Sequence, residues 1–286
     1  MRKVAVVADS TCCLPQELVE KYDIYVVPLE IVHEGKSYRD GVDITPNDVY
    51  RIMRKKENLP TTSTPATGDF LNAYRQVSQK AESILCITLT GIQSKTFEAA
   101  SAAREIAKEE LPNTVIEVFD SRSVAAALGF IVREAARFAS EGAGLAEVVE
   151  VARNMMGKVN FLAMLDTLYY LARLGRIARA AAWAGNVLDM KPVLEHNPAV
   201  GETMPVARPR TKRRAIERML QIMSDRTKGS AVHVMVQHAD ELEGAKKLAA
   251  EIESRFNCVE MYITEFAPVM GVHTGPGLLA IGFYAD

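Results

Sequence analysis

The stretch Val4-Ala5-Val6-Val7-Ala8-Asp9-Ser10-Thr11 decides the fold class of this 286-residue chain. Its first five residues are apolar and largely β-branched, which predicts a strand buried on both faces, as in a parallel sheet. The polar residues Asp9, Ser10 and Thr11 then mark the carboxyl end of the strand. In open parallel α/β sheets, ligands bind beyond this end of the strands.

The order of strand, polar loop and helix returns along the first half of the chain. Further strands are predicted at 83–89 and 115–119, each followed by hydroxyl or carboxylate residues. This alternation predicts an α/β fold with a doubly wound parallel sheet. The order of predicted strands and helices changes near residue 155. We therefore predict an N-terminal parallel α/β domain over 1–155 and a C-terminal mixed-sheet α/β domain over 156–286, the latter with a hairpin at 190–208.

Composition excludes several classes of protein. With 48% hydrophobic and 24% charged residues, the chain is neither disordered nor fibrous. The apolar run after Met1-Arg2-Lys3 is too short for a signal peptide, and no stretch approaches the ~20 apolar residues of a membrane span. The four cysteines contain no C-x-x-C and fit neither a disulfide framework nor a zinc knuckle. A reducing cytoplasm is the expected location.

The net charge of −2 hides a basic middle, because residues 173–218 hold ten Lys or Arg against four Asp or Glu. The run at 208–214 is not interleaved with aromatic residues, which disfavours binding to nucleic acid. A solvated helix start and a docking face for an acidic protein partner both remain open for it.

A second notable segment, 59–68, contains five hydroxyl residues and two prolines and is predicted as a loop before a helix. Together with Ser94, its hydroxyls and the N–H groups of helix starts can hold a carboxylate or a phosphate. Ordinary N-capping accounts for Ser94 and for Thr67 taken singly. Both interpretations stay open at this stage.

The segment 271–277 is a glycine-rich turn that carries His273 and can bring an imidazole close to a ligand. A tight turn with an incidental histidine is the alternative. The other histidines lack the spacing of metal ligands, so no metal site is predicted. Cys12 and Cys13 follow the first strand and are either nucleophiles or, more commonly for such residues, inert buried thiols.

Motifs of common enzyme classes are missing from the sequence. There is no G-x-S-x-G, no G-x-x-x-x-G-K-[ST] and no G-x-G-x-x-G after a strand. An NTPase or an ordinary serine hydrolase is therefore disfavoured, and no cofactor is expected.

Six segments in order resemble the DegV family, whose members bind fatty acids and in several bacteria serve as the binding subunit of fatty acid kinase. The resemblance spans the whole chain and implies a DegV-like fold. The segments are Asp9-Ser10-Thr11 (family D-S-T/S), Thr62-Ser63-Thr64-Pro65 (T-S-x-P), Gly91 to Thr96 (S-G-x-S-x-T), Asp120-Ser121 (D-S), Leu168 to Ile177 (L-x-x-L-x-R-G-G-R-I) and Gly271 to Gly277 (G-x-H-x-G-P-G).

The resemblance implies that Thr62 and Ser94 hydrogen-bond the carboxylate of a long-chain fatty acid, with Ser63 adjacent and His273 close by. It implies an acyl chain in an apolar pocket between the two domains. It also implies that the chain presents the carboxylate to a separate ATP-dependent kinase subunit, which makes acyl phosphate, and is not itself an enzyme. Arg173 and Arg176 are the candidate contacts for that kinase subunit, or for a membrane surface during lipid exchange, with a solvated surface as the alternative.

Two rival functions remain at this stage. The first is an enzyme on a small carboxylated or phosphorylated substrate that uses His273 as acid or base. It requires a second titratable group beside His273, for which Asp9 and Asp120 are the candidates. The second is a regulatory module that senses lipid without a kinase.

Overall fold

The computed structural model describes residues 1–176 and 190–286. Ile177, the last residue of the DegV-like segment that begins at Leu168, therefore lies outside the described residues. The chain forms two compact units. The first unit comprises Met1–Glu30, Ser63–Gly157 and Pro198–Glu202, and the second comprises Ile31–Thr62, Lys158–Asn197 and Thr203–Asp286.

The secondary structure alternates strands and helices along most of the chain. The strands are β1 (Arg2–Asp9), β2 (Tyr25–Val27), β3 (Glu30–His33), β4 (Lys36–Arg39), β5 (Thr61–Ser63), β6 (Ala81–Thr88), β7 (Val115–Asp120), β8 (Asn160–Met164), β9 (Val193–Asn197), β10 (Glu202–Ala207), β11 (Val232–His238), β12 (Cys258–Glu265) and β13 (Leu279–Ala285). The helices are α1 (Gln16–Tyr22), α2 (Pro46–Arg54), α3 (Thr67–Ser78), α4 (Thr96–Glu110), α5 (Ala125–Ser140), α6 (Leu145–Lys158), α7 (Tyr169–Arg173), α8 (Lys212–Thr227), α9 (Leu242–Arg255) and α10 (Pro268–Thr274).

The first unit is built on the parallel sheet that the opening stretch predicts. Its strand order is β2-β1-β6-β7, and all three pairings are parallel. Helices α3 and α4 bury Tyr74 and Ala103 in one core with Ile84 of β6. Helix α5 packs against β1. An added Cβ at Gly129 of α5 would lie 2.7 Å from the carbonyl oxygen of Cys12, so this position requires glycine.

The second unit contains a mixed sheet, as predicted, with the strand order β10-β9-β8-β13-β11-β12. Strands β11 and β12 are parallel, whereas β13 runs antiparallel to both of its neighbours, β11 and β8. Helices α8 and α9 bury Met219 and Leu248 against Val234 of the sheet. The hairpin predicted at 190–208 is present as the neighbouring strands β9 and β10.

The compact units differ from the predicted sequence division in the placement of 31–62 and of 198–202. The boundary between the units at 157/158 lies near the predicted boundary at 155, but 198–202 groups with the first unit and 31–62 with the second. Contacts distant in sequence explain this grouping. The N–H of Val269 donates to Asp40 Oδ1 at 2.7 Å, and the ring of Tyr50 lies 2.8 Å from where a Cβ on Gly271 would stand.

Two segments predicted as a loop and a turn contain regular secondary structure. The segment 59–68 was expected to be a loop, but it contains β5, which joins β4 and β3 in a three-stranded sheet. Threonine favours extended backbone, and β3 supplies a partner that the local sequence does not reveal. The predicted turn at 271–277 is also wrong in its first half, because α10 continues to Thr274 before Gly275 ends it.

Candidate ligand-binding site

The second unit brings together two of the predicted site residues, Thr62 and His273. Their Oγ1 and Nε2 atoms are 3.0 Å apart, which is hydrogen-bonding distance, although the residues are 211 positions apart in sequence. Thr62 occupies the middle of β5, and His273 lies in the last turn of α10. A hydroxyl and an imidazole from two separate elements therefore form one polar pair.

Glycines at the end of α10 fix the position of His273. Gly275 has φ +73° and ψ 172°, a conformation that glycine adopts and other residues rarely do. An added Cβ there would lie 2.3 Å from the ring of Tyr170 in α7. At Gly277, with φ +92°, an added Cβ would lie 2.4 Å from Asp166 Oδ2. The glycines that the sequence marks as a turn thus permit close contact with two side chains.

Burial and charge keep the imidazole of His273 neutral. Burial is the main cause that lowers the pKa of His273 from 6.5 to about 4, and the positive charge of Arg176 lowers it further. The Nδ1 atom is buried and has no hydrogen-bond partner among the described residues. At neutral pH the ring therefore carries a single N–H, on one nitrogen or the other.

Arg173 makes backbone contacts that the sequence did not predict. Its guanidinium donates to the carbonyl oxygens of Pro60 at 3.0 Å and of Leu59 at 2.9 Å. These carbonyls precede β5, so Arg173 holds the chain two residues before Thr62. The guanidinium of Arg176 donates to the carbonyl oxygen of Leu174, close to its own backbone. Both arginines are exposed.

Ser63 is adjacent to Thr62 but has a different local environment. Its hydroxyl donates to the carbonyl oxygen of Thr64 at 3.3 Å. Because successive side chains of a strand point to opposite faces, Ser63 does not share the direction of Thr62. Its predicted part in ligand binding stays a prediction.

Ser94 belongs to the first unit and lies just before α4. Its Oγ accepts a hydrogen bond from the N–H of Thr96 at 3.3 Å and lies 2.8 Å from Thr96 Oγ1. Ser94 is not the N-cap of α4, because Lys95 holds that position without a side-chain cap, but Ser94 Oγ still accepts from the first N–H of the helix. Its hydroxyl hydrogen can point elsewhere if Thr96 Oγ1 is the donor. Thr67, by contrast, is not a cap, because it is the first residue of α3 and Asp69 accepts from the N–H of Ala66.

The carboxyl ends of β1 and β7 hold two aspartates with structural roles. Asp9 is fully buried, and it accepts from the N–H of Leu89 at 2.7 Å and from the N–H and hydroxyl of Thr11 at 3.0 and 2.5 Å. Burial raises the pKa of Asp9 from 3.8 to about 6 despite these bonds. Asp120 accepts from the N–H groups of Gly91 at 3.2 Å and Arg122 at 2.9 Å.

The acid or base role considered for His273 receives no support from its electrostatic surroundings. The charge that shifts its pKa is that of Arg176, and no carboxylate within 1–176 or 190–286 contributes. Asp9 and Asp120, the two candidate partners, are both occupied by backbone N–H groups of the first unit. A neutral imidazole with a pKa near 4 is a weak base and is not a useful acid at neutral pH.

Sequence reasoning missed three side chains that pack against the glycines near His273. Tyr170 packs on Gly275, Asp166 packs on Gly277, and Tyr50 packs on Gly271. Lys191 donates to Asp166 at 2.9 Å and holds that carboxylate in place. The only local signal was the glycine spacing, which reports that something approaches closely but not which residue does.

Other features of the described residues lie apart from these groups. A cavity of about 300 Å³ in the second unit has a largely polar lining between Glu217 and Asn257, and none of the predicted site residues borders it. The described ranges, 1–176 and 190–286, contain no cluster of three metal-binding side chains. None of the helices in those ranges has both the length and the apolar composition needed to cross a bilayer. The four cysteines, all described, form no disulfide with one another, and Cys12 and Cys13 are buried.

The parallel sheet and the mixed sheet define the class of protein, which is a two-unit α/β protein. Its second unit carries the hydrogen-bonded pair of Thr62 and His273. A model of the DegV family matches residues 3–286. The chain belongs to the DegV family.

Individual relatives agree with this assignment over their full lengths. A DegV domain-containing protein of Clostridium acetobutylicum is 34% identical, over 99% of this chain and 98% of its own. The solved structure of a fatty-acid-binding DegV family protein from Thermus thermophilus matches with a TM-score of 0.91 at 29% identity, over 100% of both chains. DegV of Bacillus subtilis, described as a fatty acid binding protein, matches with a TM-score of 0.89 at 29% identity, also over 100% of both chains.

Proposed function

We propose that this protein binds a long-chain fatty acid and presents its carboxylate to a separate ATP-dependent kinase subunit, which converts it to acyl phosphate. The observation that carries the binding step is the hydrogen-bonded pair of Thr62 and His273 in a family whose solved members from Thermus thermophilus and Bacillus subtilis are described as binding fatty acids.

A hydroxyl is well suited to this task. The hydroxyl of Thr62 can donate to a carboxylate oxygen, and a hydrogen bond to a charged group contributes about 1.5–3 kcal/mol. A neutral donor leaves more electron density on that oxygen than a paired cation would, which suits a carboxylate that must later attack a phosphate. The acyl chain supplies most of the affinity, at about 0.8 kcal/mol for each buried methylene.

Ser94 and Ser63 remain in the proposal through the family resemblance, Ser94 as a second carboxylate donor and Ser63 as a neighbouring residue. An apolar pocket between the two predicted domains also remains a prediction. We propose no catalytic residue in this chain, in keeping with the low pKa of His273, and no cofactor. A cytoplasmic location, where ATP-dependent kinases act, completes the proposal, and the absence of disulfides among the four cysteines supports it.

Arg173 and Arg176 are proposed as contacts for the kinase subunit or for a membrane surface during lipid exchange. Their exposure supports this role. Arg173 also has a structural task, because it binds the carbonyl oxygens of Leu59 and Pro60. Loss of Arg173 can therefore affect Thr62 as well as the partner, and a test must separate these effects.

The direct test is to denature purified protein, extract it with organic solvent and identify fatty acids by mass spectrometry. The variant Thr62→Val removes the hydroxyl at nearly constant volume, and Thr61→Val is the matched control on the same strand. We expect stoichiometric fatty acid in the wild type and in Thr61→Val. The affinity of Thr62→Val for fatty acid should be lower than that of the wild type by roughly tenfold or more. A wild type that binds no fatty acid, even after incubation with a panel of chain lengths, would contradict the proposal.

A second experiment addresses the kinase step. Fatty acid affinity and kinase-coupled acyl phosphate formation are measured side by side for Arg173→Ala and Arg176→Ala. A partner contact lowers acyl phosphate formation more than it lowers fatty acid affinity. Equal losses in both assays would reject the partner role and leave Arg173 as a structural brace.

A further inference from the structure

The hydrogen bond between Thr62 and His273 has a direction that determines what Thr62 can offer a ligand. The two atoms, Oγ1 and Nε2, are 3.0 Å apart, and either can be the donor. If Nε2 carries the proton, it donates to Thr62 and leaves the hydroxyl hydrogen of Thr62 for a ligand. If Nε2 is unprotonated, the Thr62 hydroxyl must donate its hydrogen to the ring and can then only accept hydrogen bonds from a ligand.

The surroundings of the other ring nitrogen distinguish these two arrangements. The Nδ1 atom is buried and has no hydrogen-bond partner among the described residues. A proton on Nδ1 would therefore be a buried N–H without an acceptor. A bare Nδ1 leaves only an unused lone pair, and folded proteins bury unpaired acceptors more readily than unpaired N–H donors.

We propose that His273 carries its proton on Nε2 and so acts as a positioning residue that makes Thr62 a donor toward the ligand. The inference rests on the proposed function and extends it to the specificity of the site. The site then favours a headgroup that only accepts hydrogen bonds, an ionised carboxylate, over one that only donates, a long-chain alkylammonium.

Charge acts in the same direction. The guanidinium of Arg176 is close enough to influence His273 electrostatically, and the same positive charge attracts a carboxylate and repels an alkylammonium. The two contributions are separable by mutation, because Arg176→Ala removes the charge without touching the Thr62–His273 hydrogen bond.

The first test reads the tautomer directly. Protein labelled with nitrogen-15 in histidine is studied by long-range proton–nitrogen correlation at neutral pH, with and without myristate. The His273 signals are assigned by their loss in His273→Gln. We expect a protonated Nε2 and a bare Nδ1 in both states. A proton on Nδ1 would overturn the inference. Because the tautomer is measurable without ligand, this result is independent of whether fatty acid binds.

The second test measures specificity with myristate and tetradecylammonium below their micelle concentrations. We expect wild type to bind myristate at least roughly tenfold more tightly, and His273→Gln, whose amide can still donate, to keep most of that preference. His273→Leu frees Thr62 to accept as well as donate, so its preference should fall by about tenfold. Equal affinity of wild type for both probes refutes the inference, whereas failure to bind either probe refutes the proposed function.

Discussion

Replacing Gly275 by alanine should destabilise the second unit strongly. The backbone at Gly275 has φ +73° and ψ 172°, and holding a residue with a side chain in such a sparsely populated conformation costs about 1–3 kcal/mol. The new Cβ would stand 2.3 Å from two carbon atoms of the Tyr170 ring, so that ring must move. Forcing extra volume into a packed site costs about 1–3 kcal/mol more. The expected loss in the free energy of unfolding is therefore about 2–6 kcal/mol.

The measurement is urea unfolding followed by circular dichroism, with separate transitions fitted if the two units unfold separately. Gly157→Ala is the matched control, because an added Cβ there meets no atom within 4 Å and the residue lies in α6, where alanine is expected to stabilise by about 1 kcal/mol. Combining Gly275→Ala with Tyr170→Ala should remove the steric part and leave the backbone part, giving a favourable coupling of about 1–3 kcal/mol. A loss below about 1 kcal/mol for Gly275→Ala, or no coupling to Tyr170, would refute the reasoning.

Three further predictions concern pH and local structure. His273 is neutral when folded, with its pKa lowered from 6.5 to about 4, so stability should fall as pH drops through this window, by at most about 3 kcal/mol, and His273→Phe should abolish that fall in acid unfolding curves. Asp9 should change stability with pH in the opposite direction, because its pKa is raised from 3.8 to about 6 in the folded protein. Stability should therefore rise as pH drops from 6 toward 4. A pH profile of Asp9→Asn that keeps this rise would show that Asp9 is not its source. Thr45 caps α2 in a reciprocal capping box with Asp48, so Thr45→Ala should cost about 1 kcal/mol in urea unfolding, while an unchanged midpoint would mean that the cap contributes nothing.

The sequence was sufficient where a pattern is local. The apolar run at 4–8 predicted a buried parallel strand, and β1 is paired on both sides by parallel neighbours. The glycines after His273 predicted a turn there, and Gly275 and Gly277 both adopt positive φ. Each of these features depends on a few consecutive residues whose conformational preferences are strong.

The sequence was insufficient where a contact joins distant segments. Strand β5 exists because β3 supplies a partner, which the hydroxyl-rich segment around Thr62 does not reveal. The hydrogen bonds from Arg173 to the carbonyl oxygens of Leu59 and Pro60 join residues more than 110 positions apart, and no sequence periodicity predicts them. The Thr62–His273 pair was anticipated through family resemblance, whereas their hydrogen bond came from the geometry.

The placement of 31–62 in the second unit has a consequence for biosynthesis. Asp40 accepts a buried hydrogen bond from the N–H of Val269, which is synthesised 229 residues later. At typical synthesis rates of about 5–20 residues per second, that delay is roughly 10–45 s. During this time the α2 segment lacks the helix α10 that packs on Tyr50, whose side chain is completely buried in the finished protein. A nascent chain of this protein therefore exposes the apolar side chains Val49, Tyr50 and Met53 early, and they are buried only when the last segments emerge from the ribosome.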